Sequence, residues 1–319
     1  SMATFLNLFQ DADKNLIFLY YNKMKIKKIK GFNIKPPKHE SGLYETHELM
    51  PKMHQVCIAV GKRASGKSTA IVNLIENLEY DYCIAVSPTM NSNLELMKRL
   101  NILHIFEDVD DPSIIDNIKK IVEDEATVLE QYKQDLKDYY KMVNDIDKGN
   151  FLHDNDLMKF YHDNDFMKPT HIWHGKKPRI AVIFDDMMGS TIYSKPRKLN
   201  ALSTYSRHIG QLKEGGAIGV SLFFLIQSFK AQSGGLSKVI RNQCTSLLLF
   251  KTKDLKELDD VANSCGGEID VELFKTVYDT AIGSGEGYPF LFIDLHKKPS
   301  HVSMFRRYFN EFIISEELK

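Results

Sequence analysis

Five short apolar runs set the pattern of the chain: Gln55–Val60, Tyr82–Ser87, Arg179–Phe184, Gly219–Ile226 and Ser246–Phe250. Each is rich in Val, Ile, Leu or Phe, and each ends in polar or glycine residues. Near-continuous apolar runs of this length suit strands buried on both faces of a parallel sheet. Helically patterned segments follow two of them, at Ser68–Leu78 and Asn93–Leu100, and a sixth run, Pro289–Leu295, predicts a further strand near the C-terminus. The alternation predicts an α/β fold, with a mainly parallel central sheet flanked by helices.

One region breaks the rhythm. Roughly ninety residues separate the second and third runs, far more than an ordinary crossover needs. Ile114, Ile118, Ile121, Val128, Tyr132, Leu136, Tyr139 and Val143 recur there at mostly helical spacing. They predict a long amphipathic helix or a helix pair, with the tyrosines as packing residues rather than a nucleic-acid face. Beyond it, His153-Asp-Asn-Asp-Leu-Met-Lys159 recurs as His162-Asp-Asn-Asp-Phe-Met-Lys168. The spacing fits no metal-binding loop, and the repeat reads as a solvated, locally capped loop. The expected organisation is an N-terminal segment 1–50, a core 51–310 interrupted by a mostly helical insertion 111–177, and a tail 311–319. In the N-terminal segment, Lys23-Met-Lys-Ile-Lys-Lys-Ile-Lys30 nearly alternates lysine with apolar residues and reads as a solvated edge strand, with a DNA contact as the alternative.

Composition narrows the picture. The 319 residues carry 42 basic and 42 acidic side chains, so no bulk basic field exists and any nucleic acid must be held by local patches. Cys57, Cys83, Cys244 and Cys265 form no CxxC pair and read as buried free thiols of an intracellular chain. Ala217–Ile226 is too short to cross a membrane. Leu16–Tyr21 is short, follows Asp11 and Asp13, and does not read as a signal peptide.

The chemistry enters at Gly61-Lys62-Arg63-Ala64-Ser65-Gly66-Lys67-Ser68, followed by Thr69, which fits G-x-x-x-x-G-K-[ST] between an apolar strand and a helix. Glycines let backbone N–H groups turn inward onto phosphate oxygens. The helix N-terminus adds partial positive charge. Lys67 is the candidate for the β- and γ-phosphates of ATP or GTP, and Ser68 for Mg²⁺. Arg179-Ile-Ala-Val-Ile-Phe-Asp185-Asp186 has the Walker B form, in which Asp185 would hold Mg²⁺ and Asp186 would orient and deprotonate the attacking water. The fourth run ends in Gln227, either a sensor of the γ-phosphate or a plain strand terminus.

The segments GKRASGKST, IFDDMM, Ser206-Arg207-His208, FFLIQS and Ile240–Lys251 together resemble the poxvirus-type genome-packaging ATPases of large DNA viruses and virophages, a branch of the FtsK–HerA superfamily of P-loop NTPases. The resemblance covers roughly residues 50–310 without most of the insertion. It implies a RecA/ASCE-like sheet in which the glutamine strand lies between the P-loop and Walker B strands, bringing Gln227 to the γ-phosphate. It also implies a homo-oligomeric ring that translocates double-stranded DNA without sequence preference, a capsid or portal-vertex partner, and a place in the host cytoplasm, the viral factory or the virion. An arginine from a neighbouring subunit would reach the nucleotide; Arg207 matches the family's Arg-His position, and Arg241 is the alternative. Ser194–Lys198 and Lys230–Lys238 are candidate DNA-gripping loops, with ordinary solvated loops as the other reading. Another FtsK–HerA-type DNA pump is the nearest alternative function. A GTPase switch matches Asp186-Met-Met-Gly189 but fails at Thr252-Lys-Asp-Leu255, where the acid falls one place early. A small-molecule kinase would need an acceptor, and a scaffold without turnover would not need two adjacent acids.

Overall fold

The computed structural model describes residues 46–89, 98–162, 165–231, 233–265, 269–283 and 286–318. The lysine-rich run at 23–30 and most of the expected helix at Asn93–Leu100 lie outside these residues. The apolar runs form β1 (Val56–Val60), β2 (Tyr82–Val86), β6 (Ile180–Asp185), β7 (Ser221–Ile226), β8 (Ser246–Phe250) and β9 (Phe290–Asp294). Three strands of the central sheet were not expected: β3 (Ile102–Phe106), β10 (Phe305–Arg307) and β11 (Glu311–Phe312). All nine join one sheet in the order β11-β10-β9-β8-β1-β7-β6-β2-β3, parallel from β8 to β3 and antiparallel beyond β8. The glutamine strand β7 lies between β1 and β6, in register Val60↔Ile226 and Asp185↔Leu225.

The pleat sorts side chains onto two buried faces. Cys57, Ala59, Cys83, Ala85, Ile183, Phe223 and Leu225 face α1 (Lys67–Asn77), whose Ala70, Ile71, Leu74 and Ile75 cover them. Val56, Ile58, Ile84, Val182, Leu222 and Phe224 face the other way. There they meet α2 (Ile114–Asp147), α5 (Arg197–Tyr205), α7 (Leu255–Cys265) and α8 (Val271–Gly283), and the Phe184 and Phe224 rings stack on each other. Burial on both faces is why these strands read as continuous apolar runs. All four cysteines are buried free thiols.

The long amphipathic stretch is a single helix of 34 residues, about 51 Å at 1.5 Å per residue. Ile114, Ile115, Ile118, Val122, Ala126 and Leu129 bury its first half against the core, whereas Val128 is exposed. Tyr132 stacks on His171 and Tyr139 meets Phe160 edge-on, so both are packing residues. The Asp-Asn-Asp repeat forms α3 (Asp154–Met158) and a small hairpin of β4 (Tyr161–His162) and β5 (Asp165–Phe166), rather than a plain loop. No helix among the described residues is long and apolar enough to cross a membrane.

Candidate nucleotide site

β1 delivers the chain to the carboxyl edge of the sheet, where Gly61 N–H donates to the carbonyl of Ile226 at 3.1 Å. The following turn needs its glycines. A Cβ at Gly61 would lie 2.6 Å from Ser65 Oγ and 2.8 Å from Phe250 Cβ. Gly66 has φ 92°, the left-handed region, and a Cβ there would lie 2.8 Å from that of Tyr288. α1 therefore starts on a residue with no side chain to cap it, and no acid sits in its first turn. Its leading N–H groups and positive dipole end face the cavity, a ready anion site.

Lys67 Nζ donates to the carbonyls of Gly61 at 2.5 Å and Lys62 at 2.9 Å. Burial pushes its ammonium below the usual lysine range, while Asp185 and Asp186 pull it back up. The opposite acid behaves in mirror image. Burial raises the Asp185 carboxyl, Lys67 lowers it, and neighbouring Asp186 raises it again. Successive residues of a strand point to opposite faces. Asp186 escapes that rule because its φ is 55°, a left-handed turn that aspartate tolerates better than most residues. Both carboxylates consequently line one cavity.

That cavity has a volume of about 650 Å³ and is walled by the P-loop from Arg63 to Thr69, by Asp185 and Asp186, by Gln227 and by Tyr193. It opens at the carboxyl ends of parallel strands, where open α/β sheets bind ligands. Gln227 is brought there because β7 separates β1 from β6 and ends one residue earlier. The glycine cradle fits a triphosphate, and the Ser68 hydroxyl with the Asp185 carboxylate is a hard-oxygen pair of the kind Mg²⁺ takes. Tyr193, which lines the same cavity, gave no sequence signal beyond following Walker B by a few residues.

The two arginines are not in this constellation. Arg207 lies in a 3₁₀ turn, Ser206–His208, ahead of β7, and lines a second cavity of about 280 Å³ with His54, Gln55, Ser246 and Asp294. That cavity is at the amino ends of the strands, about 20 Å of extended chain from the P-loop edge. Arg241 lies on α6 (Lys238–Asn242). Its guanidinium donates to the carbonyls of Phe229 and Leu236 and sits over the Phe229 ring, so it braces the segment after Gln227.

The expected basic loops also differ. Ser194–Lys198 is mostly helical, the end of α4 (Thr191–Ser194) and the start of α5. Lys198 is ion-paired with Asp116 at 2.6 Å, and Lys230 with Asp260 at 2.6 Å. Lys195, Arg197 and Lys238 are exposed. The second segment is tied to residues on either side of the first, for Gly189 N–H donates to Gly234 O at 3.0 Å and Ser237 Oγ to Asn200 Oδ1 at 2.5 Å.

A scan of protein-family models and a search of curated proteins returned no match. Solved structures do resemble the chain. The genome packaging NTPase B204 of Sulfolobus turreted icosahedral virus 2, in complex with ATP-gammaS, is 14% identical with a TM-score of 0.41, over 80% of this chain and 96% of that one. The pCW3 conjugation coupling protein TcpA is 18% identical with a TM-score of 0.41, over 77% and 58%. EccC of Thermomonospora curvata is 14% identical with a TM-score of 0.36, over 82% and 40%. Likenesses this distant do not bear on what the chain does, which rests on its own residues.

Proposed function

We propose that the protein is an ATP-hydrolysing motor that moves double-stranded DNA as a ring of identical subunits, and that it packages a viral genome into a capsid. The observation that carries this reading is the convergence of Lys67, Ser68, Asp185, Asp186 and Gln227, from three adjacent strands, on one cavity. In this account the α1 N-terminus and the P-loop N–H groups hold the β-phosphate, and Lys67 neutralises charge on the γ-phosphoryl group. Ser68 and Asp185 hold Mg²⁺, which supplies further charge neutralisation. Asp186 orients the attacking water and accepts its proton, and Gln227 senses the γ-phosphate. A double carboxylate at the strand end favours turnover over a passive nucleotide switch.

Arg207 is the finger in this reading. It is exposed and lies at the far edge of its own sheet, so it serves a neighbour's nucleotide. Arg241 is half-buried and committed to two carbonyls, which makes it the weaker candidate. Exposed Lys195, Arg197 and Lys238 grip DNA phosphates without reading bases.

The test is steady-state phosphate release with and without double-stranded DNA, alongside the particle's mass in solution. DNA of any sequence should raise the rate of the assembled particle, and high salt should remove the effect, because phosphate contacts release counterions. Replacing Lys195, Arg197 and Lys238 with Gln should reduce stimulation and leave the basal rate intact. An assembled ring with no stimulation at low salt would defeat the translocase reading.

A further inference from the structure

Tyr193 is the residue at the site that the reading above leaves unused. It lies on α4, which is fixed independently of the tyrosine's own hydroxyl. Ser190 caps the helix by accepting from Tyr193 N–H at 3.3 Å, and Asp110 Oδ1 accepts from Thr191 N–H at 2.7 Å. This anchoring sets the ring on the wall of the nucleotide cavity with Asp185 and Asp186. The side chain is only 4% exposed, and its hydroxyl has no hydrogen-bond partner among the described residues.

A buried tyrosine hydroxyl normally finds a partner; the hydroxyls of Tyr80 and Tyr82 also make no hydrogen bond among the described residues, but of the three only Tyr193 lines the nucleotide cavity. Leaving it unpaired costs stability that a phenylalanine at the same place would not. Packing alone therefore does not account for tyrosine here. Burial, and after it the charge of Asp185, push the phenol up, and no direct hydrogen bond joins the two. Mg²⁺ in nucleotide sites keeps several of its waters, and those waters need acceptors and donors around them.

We propose that Tyr193 is a positioning residue for the metal, its hydroxyl hydrogen-bonded to a water of the divalent cation held by Ser68 and Asp185. The inference rests on the nucleotide-site reading above. The hydroxyl is then satisfied only when nucleotide and metal are both bound, and it selects the metal-loaded nucleotide over the bare one. Through Asp110, the same short helix is tied to the segment just ahead of α2.

The test is Tyr193→Phe in the full chain, read by three measurements: the thermal midpoint without ligand, the ATP dissociation constant in EDTA, and the same constant in saturating Mn²⁺. The midpoint should be unchanged or higher, since an unpaired buried hydroxyl is removed. ATP affinity in EDTA should stay within about twofold, and affinity in Mn²⁺ should fall about tenfold, the usual size for an outer-shell partner of a metal. An Mn²⁺ enhancement equal to that of the unsubstituted protein would overturn the inference. So would a lowered midpoint with both affinities lost together, which would mark a structural hydroxyl. If the unsubstituted protein bound ATP no better with Mn²⁺ than in EDTA, the metal assignment to Ser68 and Asp185 would fall, and this inference with it.

Discussion

At the carboxyl ends of β1 and β7 the chain opens around a cavity of about 650 Å³ in which Asp185 and Asp186 stand together. At the amino ends of the same strands a cavity of about 280 Å³ holds Asp294. Burial raises both Asp185 and Asp294. Their partners differ. Asp294 is answered by Arg306, 0% exposed, at 3.3 Å, and by His301 at 3.7 Å. Arg306 also donates to the carbonyls of Leu49 and Phe309, and His301 contacts the carbonyl of Glu48. That network ties the strand edge to residues 48–49. Asp185 has no arginine partner among the described residues; its counter-charge is Lys67, which the P-loop carbonyls hold. A buried acid with a dedicated cation is architecture, and one left next to a second acid and an anion cradle is available for chemistry.

Matched substitutions at the two ends sharpen this contrast. Asp186→Asn should lower turnover about 10²–10⁴-fold, while nucleotide affinity and thermal midpoint hold, because asparagine also tolerates the left-handed backbone. Asp294→Asn should do the reverse, costing about 3–5 kcal/mol of stability by leaving Arg306 buried without its charge partner. Its turnover per folded molecule should match that of the unsubstituted protein. Rates and denaturation midpoints measured on both variants would break the comparison if Asp294→Asn lost turnover at normal stability.

A smaller effect should come from His54 at the amino end. Burial, then Arg207, push it down to about 4 from an ordinary value of 6.5. The unfolded chain therefore takes up a proton that the folded chain refuses as pH falls from 6.5 towards 4. Stability should drop by up to about 2 kcal/mol between pH 6.5 and 5 and flatten below 4. Denaturant unfolding across that range checks this, and His54→Asn should flatten the profile, asparagine accepting the φ of 57° found there. An unchanged profile in the variant would place the acid sensitivity elsewhere.

The reach of the sequence follows the same division. The parallel strands were legible because burial on both faces made them continuous, and the P-loop and Walker B acids because their chemistry fixes residue type and spacing. β3 was missed since Leu103 and Ile105 are exposed, 49% and 50%, in a strand set among charged residues. β10 was missed because a buried arginine sits at its centre, and only tertiary contact with Asp294 makes that position habitable. The placement of Gln227 next to the cavity depends on strand order, which no local pattern encodes; the family resemblance supplied it. Tyr193 carries no motif, and its significance lies in a missing partner. Lys198 and Lys230 looked like free cations in sequence because Asp116 and Asp260 reach them only through the fold.

The most direct test of the central claim is phosphate release from Mg-ATP by the unsubstituted protein and by Lys67→Ala, at equal concentration and verified folding. The account predicts measurable turnover that falls at least about 100-fold on removing the ammonium that meets the γ-phosphoryl charge, with no loss of thermal stability. Equal turnover in the two proteins would contradict it, since the cavity at the carboxyl edge would not then be where ATP is hydrolysed.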